Sequence, residues 1–214
     1  GIRDVERSRG LGDVYKRQPY DNWTFTTATR YDISLSIGWN LISFPVTPTT
    51  WRDVEETLGN AKDKIESIWT YDAISGEWSV YTPDEEANDT ISSIEAGYGY
   101  WVKANESTSL TGSGTLYEQL VPSNSDEMPS SLPQVQLGDG WNLIGYYQLP
   151  NTDSMDIEHA LSKLAGSWTG SPNDLITFEK GTLQPITPIY TMEPGVGYWI
   201  FMTKAAKYSF GSKP

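Results

Sequence analysis

Few residues in this chain have both the type and the spacing to do chemistry. Gly97-Tyr98-Gly99-Tyr100-Trp101 and Gly195-Val196-Gly197-Tyr198-Trp199 set paired glycines ahead of aromatics, which invites comparison with a phosphate-cradling loop. Such a loop needs a further glycine, a lysine and a following helix, and neither copy supplies them. The residues after each motif have strand character, so the glycines are expected to let the backbone turn tightly before Tyr and Trp pack. The acidic run Asp84-Glu85-Glu86-Ala87-Asn88-Asp89 offers hard oxygen ligands of the calcium type. It does not fit the twelve-residue calcium loop, and a solvated acidic loop is the simpler reading. His159 is the single imidazole. It falls on the polar side of a short helix, with no Gly-x-Ser-x-Gly motif to pair with it. Carboxylate pairs of the glycosidase kind are defined in space, not in sequence. No catalytic residue, metal ligand or cofactor is expected.

The remaining chemistry is aromatic. Trp69, Tyr71, Trp78 and Tyr81 lie on one hairpin, and alternation puts Trp69 and Tyr71 on the same face. An exposed strip of this kind stacks on sugar rings or anchors a neighbouring domain. Cross-strand aromatic pairs also stabilise hairpins with no ligand involved. Trp39 and Trp141, with Trp101 and Trp199, are open to the same two readings. Their apolar surroundings favour interior anchors, at about 3–5 kcal/mol for each Trp→Ala replacement.

What must position these residues is a duplication. Gly38-Trp39-Asn40-Leu41-Ile42 recurs letter for letter as Gly140-Trp141-Asn142-Leu143-Ile144. The paired-glycine motif follows each copy in the same order. Gly38, Trp39, Asn40, Gly97, Gly99 and Trp101 are the repeat anchors of unit one. Gly140, Trp141, Asn142, Gly195, Gly197 and Trp199 are those of unit two. Each unit reads as a strand (Ile33, Leu35 and Ile37; Val135 and Leu137), a glycine bulge and a second strand with apolar residues on both parities. A short helix follows. Thr49 or Thr50 caps the first, with Trp51, Val54 and Leu58 as its stripe and Gly59 as its stop. Asp153 or Ser154 caps the second, with Ile157, Leu161 and Leu164 as the stripe and Gly166 as the stop. The hairpin Ile68–Asp72 and Glu77–Tyr81 comes next, matched in unit two by Leu175–Glu179 and a turn at Lys180-Gly181. Trp78 has no counterpart that alignment reveals. The fold class is mainly β with one short helix per repeat, as two tandem small β-barrel or β-sandwich modules. Whether the first strand of a unit pairs at home or swaps into the other is open.

Residues 1–18 are expected to be disordered. Asp13-Val14-Tyr15-Lys16-Arg17-Gln18 resembles a translated sequencing adapter, so this frame is expected to be a metagenomic fragment whose true start is missing. Tyr20-Asp21-Asn22-Trp23-Thr24-Phe25-Thr26-Thr27-Ala28 resembles the last strand of a bacterial immunoglobulin-like domain, so 19–30 is expected to be a strand of a truncated upstream domain, with an extra strand of unit one as the alternative. Unit one spans 31–118, a Pro- and Ser-rich linker 119–133, and unit two 134–214.

The chain has 214 residues, no cysteine and a formal charge of -13. Disulfides and thiolate chemistry are thereby excluded. Residues 1–18 contribute +2 and the rest -15, a field that repels nucleic acid and anionic lipid. Acidic surfaces suit proteins outside the cell. No apolar run is long enough to span a membrane. Asn22, Asn88 and Asn105 begin glycosylation sequons.

Gly-Trp-Asn-Leu-Ile-Ser-x-Pro, an aromatic-Asp hairpin with Trp, and Glu-x-Gly-x-Gly-Tyr-Trp together resemble a repeat of large secreted or surface-attached bacterial and archaeal proteins. The carriers are Gly38–Pro45, Trp69–Trp78 and Glu95–Trp101, then Gly140–Gly145 and Glu193–Trp199. Unit two departs where Gly145 and Tyr146 replace Ser43 and Phe44. The resemblance implies a non-catalytic structural or adhesion-type accessory domain at the cell surface. Its partners would be glycan or neighbouring domains of the same chain. A carbohydrate-binding module using Trp69, Tyr71, Trp78 and Tyr81 is the alternative.

Overall fold

The computed structural model describes residues 28–48, 53–83, 89–115, 134–146, 154–179, 181–185 and 191–209. The tail 1–18, most of the 19–30 segment, Thr49, Thr50 and Trp51, the acidic residues 84–88, the linker 119–133, Asp153, Lys180 and Phe210 lie outside these. The protein is mainly β. The first half runs β1 (Thr29–Leu35), β2 (Gly38–Ser43), β3 (Thr47–Pro48), helix α1 (Val54–Leu58), β4 (Ile65–Asp72), β5 (Glu77–Tyr81), β6 (Gly99–Ala104) and β7 (Thr108–Thr115). The second runs β8 (Val135–Leu137), β9 (Gly140–Gly145), β10 (Met155–Asp156), helix α2 (Ile157–Ala160), β11 (Leu175–Glu179), β12 (Thr182–Pro185), β13 (Thr191–Met192), β14 (Gly197–Met202) and β15 (Ala206–Tyr208).

The two repeated strings are neighbours in a sheet. β2 pairs antiparallel with β6 from Gly38↔Ala104 to Ser43↔Gly99, and β9 pairs with β14 in the same register from Gly140↔Met202 to Gly145↔Gly197. The four-stranded sheets have the orders β2-β6-β4-β5 and β9-β14-β11-β12. Beside them lie β1-β7-β3 in the first half, and the pairs β8-β15 and β10-β13 in the second. No sheet closes into a barrel among the described residues. β1 pairs with β7 and β8 with β15, each at home, so the first strands do not swap.

Two apolar clusters fill the interior. One gathers Ile33, Leu35, Phe44, Ile68, Val102 and Leu110; the other gathers Val135, Leu137, Ile144, Leu164, Ile200 and Tyr208. Half-buried Tyr98 packs against both. Ile37, expected on the buried face with Ile33 and Leu35, is 70% exposed, because β1 ends at Leu35 and the chain is already turning toward Gly38. Helix α1 is capped by Asp53, whose Oδ1 accepts the Glu56 N–H at 3.1 Å. Ser154 lies before β10, so it does not cap α2, which starts after Asp156. Gly59 does end α1, with positive φ, and a 3-10 turn continues from it to Lys64; Gly166 is not the stop of α2, which ends at Ala160 and is followed by a 3-10 turn that ends at Leu164.

The repeated Asn is a latch. Asn142 Oδ1 accepts the Gly138 N–H at 2.8 Å, and its Nδ2 donates to the Gly138 and Gly140 carbonyls at 2.9 Å each. Asn40 does the same to Ser36 and Gly38. The latch closes a tight bend whose glycine sits at φ 91° or 86°, a region open chiefly to glycine. The repeated Tyr has an equally local task. Tyr100 and Tyr198 are 2% exposed, and their hydroxyls accept the Glu95 and Glu193 N–H groups at 2.9 and 2.8 Å.

Burial holds the Tyr100 and Tyr198 phenols well above the ordinary value of 10.0, and pushes Tyr81 up to about 12 with help from the Glu55 carboxylate. The fold therefore keeps protons that the unfolded chain releases near pH 10. That contribution is complete below the unfolded value and is lost as pH rises toward the folded ones. Denaturant midpoints are expected to fall steadily above about pH 10, with tyrosinate absorbance from these groups arriving only on unfolding. A pH-independent midpoint through that range would contradict the assignment.

The halves meet across a pseudo-twofold seam built from the repeat motifs. The Ser43 N–H donates to the Gly195 carbonyl at 3.1 Å, and the Gly145 N–H, its equivalent, donates to the Gly97 carbonyl at 2.8 Å. Ile42 bridges Val196, and Ile144 bridges Tyr98. A Cβ on Gly99 would stand 2.8 Å from the Ile144 carbonyl oxygen, and one on Gly197 would stand 2.6 Å from that of Ile42. The motif glycines thus allow each half to press its sheet against the other's backbone.

Candidate functional site: an aromatic groove along the seam

Antiparallel partners share a face, so the register fixes what the first-half sheet presents outward. Trp39 faces Lys103, Trp101 lies between Leu41 and Trp69, and Trp78 faces Tyr71. The second half covers part of this face. Phe178 packs on Trp101 with centroids 5.0 Å apart, and Tyr71 makes the reciprocal contact with Trp199 at 5.7 Å. Trp78 adds a second contact to Trp199 at 5.9 Å. Leu41, Ile42 and Ser43 are buried beneath the seam, while Trp39, two residues back on the outward face, lies beyond its reach.

The expectation that the four repeated indoles are interior pillars is therefore corrected. Trp39 and Trp141 are 43% and 39% exposed, and Trp101 and Trp199 are half-buried between the sheets. The physical reason is coverage. A strand apolar on both parities implies two covered faces, and the covering half docks only over the C-terminal end of β2. Tyr81 is also corrected. It pairs with Ile68, shares its inward face and is 4% exposed, so it belongs to the core and not to the aromatic strip. Trp69 and Tyr71 are half-buried and Trp78 is 47% exposed, all on the outward face.

What remains uncovered is a groove of about 540 Å³ walled by Trp39, Trp69, Trp78, Trp101, Phe178 and Leu183. It adjoins a second cavity of about 680 Å³ that shares Trp39, Phe178 and Gly181 and adds Ile37, Leu41 and Val196 with the polar groups of Ser34, Ser36 and Glu179. Both halves supply walls. The rings are not coplanar: Trp39 meets Trp101 at 89°, and Trp69 meets Trp78 at 73°. Trp69 Nε1 donates to Ser67 Oγ at 3.0 Å, and Lys103 pairs with Glu66 at 2.6 Å while its Nζ lies 5.9 Å from the centre of the Trp39 ring.

The second half surrounds its own Trp differently. Phe201 occupies the register place of Lys103 and packs on Trp141 with centroids 5.3 Å apart. Leu183 faces Phe178 as Trp78 faces Tyr71, so it is the counterpart of Trp78 that alignment misses. The shorter turn in the second hairpin hides it. Phe178 and Leu183 had no sequence signal as site residues, because they join the groove only through docking. Gly38, Gly97, Gly99, Gly140, Gly195 and Gly197 serve bends and the seam. His159 is exposed on α2. Among the described residues, no three carboxylate or imidazole groups converge on one point, and no helix is long and apolar enough to cross a membrane.

Comparison with protein-family models, with curated proteins and with solved structures finds no match to this chain.

Proposed function

We propose that this chain is a non-catalytic accessory module of a secreted or cell-surface protein, serving structure or adhesion, in which two sandwich-like units act as one stiff body. The reciprocal seam is the observation that carries this reading. The residues a duplication would keep for a shared reaction are spent on architecture: Asn40 and Asn142 close bends, Tyr100 and Tyr198 satisfy backbone donors, and Gly99 and Gly197 permit close approach. Two inter-unit backbone bridges, with their hydrogen bonds, and the paired ring contacts then tie one unit to the other. A body held this way keeps its shape under load, which suits a spacer or an adhesive stalk. The acidic charge and the resemblance to surface-protein repeats agree with an extracellular setting.

Pulling the intact chain from its two ends tests this. A stiff body is expected to yield in one force event that releases both units together. Two separate events, each releasing one unit at its own force, would refute it.

A further inference from the structure

We infer that the groove at the seam is a binding site for a neutral carbohydrate chain, with the Trp39 indole as its central stacking surface. The inference adds a ligand to the stiff-module reading and stands on different observations.

The first is continuity. The groove is the uncovered continuation of the aromatic face on which the second half docks, so its walls are already held by ring contacts from Trp101 to Phe178 and from Trp78 to Tyr71 and Trp199. A preformed site orders little on binding. The second is its mixed chemistry. Six apolar side chains wall one cavity, and the next mixes Ile37, Leu41 and Val196 with Ser34, Ser36 and Glu179, with Trp39 and Phe178 standing between them. A sugar ring matches this division, since it presents C–H faces to aromatic surfaces and hydroxyls to polar groups at its edge. A purely apolar partner would leave Ser34, Ser36 and Glu179 unused.

The third observation is the asymmetry between the halves. Where the second half has Phe201 packed on Trp141, the first half has Lys103, drawn into a pair with Glu66, and Trp39 is free of a ring at that place and walls the groove. The fourth is charge. Glu179 is the sole charged side chain bordering either cavity among the described residues, and the chain carries -13. An anionic polysaccharide is repelled, and a neutral one is not. The tilt between the rings fits a twisted chain in a groove and does not fit the flat face of a crystalline polymer.

The test titrates the full chain with soluble hexasaccharides of β-linked glucose, xylose and mannose, with hexagalacturonate as the anionic arm and a proline-rich decapeptide as the peptide arm. Tryptophan fluorescence and calorimetry report binding. Saturable binding of at least one neutral hexasaccharide is expected, with none for hexagalacturonate. Trp39→Ala is expected to weaken that binding about tenfold or more, and Trp39→Phe to restore part of it. Trp141→Ala, whose indole lies outside the groove, is expected to leave it unchanged. Leu183→Arg should weaken it from the other half, as a composite site requires. Near-ultraviolet dichroism confirms that each variant is folded. Failure of all three neutral sugars to bind overturns the inference, as does binding that Trp39→Ala does not change. Binding of the decapeptide in place of sugars, lost in Trp39→Ala, overturns it in favour of a peptide groove. None of these results alters the number of force events, so the stiff-module reading is judged separately.

Discussion

Replacing Gly145 by alanine is expected to cost about 3 kcal/mol, the upper part of the range for forcing atoms into a packed interior. For a chain of this length that lowers the melting temperature by about 6–12 °C. A Cβ at this position meets the Cβ of Ser43 and stands 2.6 Å from the Tyr98 carbonyl oxygen. Tyr98 is held by its bridge to Ile144, so its oxygen has nowhere to retreat. Gly145 has no positive φ, so the penalty is steric and not conformational. The obstruction by Ser43 can be separated from that by Tyr98. In the double variant Ser43→Gly/Gly145→Ala one obstacle is gone, and the loss is expected to be smaller than the sum of the single losses. Ser43→Gly alone forfeits the bond from its Oγ to the Val196 carbonyl at 2.8 Å. Thermal unfolding followed by circular dichroism measures all three. A loss below about 1 kcal/mol for Gly145→Ala would mean that the seam is looser than drawn here.

Asn142→Ala is expected to cost about 3 kcal/mol, because it strands buried backbone groups as well as removing hydrogen bonds. Asn142 is 2% exposed, and Gly138, whose N–H and carbonyl it engages, is buried. Asn40→Ala removes the same set of bonds where Ser36 is open to water, so about 1–2 kcal/mol is expected there. The sharper comparison is Asn142→Asp. The shape is kept and the Gly138 N–H still finds an acceptor. A carboxylate oxygen, however, then faces the Gly138 and Gly140 carbonyls in place of an amide donor. The variant is expected to be at least as damaging as alanine. Denaturant titration decides. Equal losses at positions 40 and 142, or a benign Asp, would contradict the latch as described.

Much of the local architecture was legible in the sequence. The duplication announced itself, and Gly38 and Gly140 marked the bends they make. Pro45 ended the pairing of β2, which stops at Ser43. The hairpin of Trp69 and Trp78 is where its turn residues put it. These features depend on near neighbours in the chain, and short-range steric and hydrogen-bond rules are written in consecutive residues. Legibility stopped at the helix caps, where Asp53 supplants the threonines, and at the indoles.

The substitution of Gly145 for Ser43 shows why it stopped. As sequence it is an unexplained departure of one copy from the other. In the fold the two positions face each other across the seam, where there is room for one side chain and not for two. Tyr81 makes a related point: it looked like a member of the aromatic strip, and strand parity alone sends it to the core.

By itself, then, the sequence determined that the chain is two copies of a mainly β pattern, which glycines and asparagines shape its bends, and which side chains alternate along each strand. Only the tertiary structure decided that the copies lock face to face, that Trp39 walls a groove while Trp141 packs on Phe201, and that Phe178 and Leu183 from the second copy complete that groove in the first. The physical reason is that alternation assigns a side chain to a face, whereas burial depends on what later covers that face. Coverage is set by docking between segments over a hundred residues apart, and no local spacing encodes it.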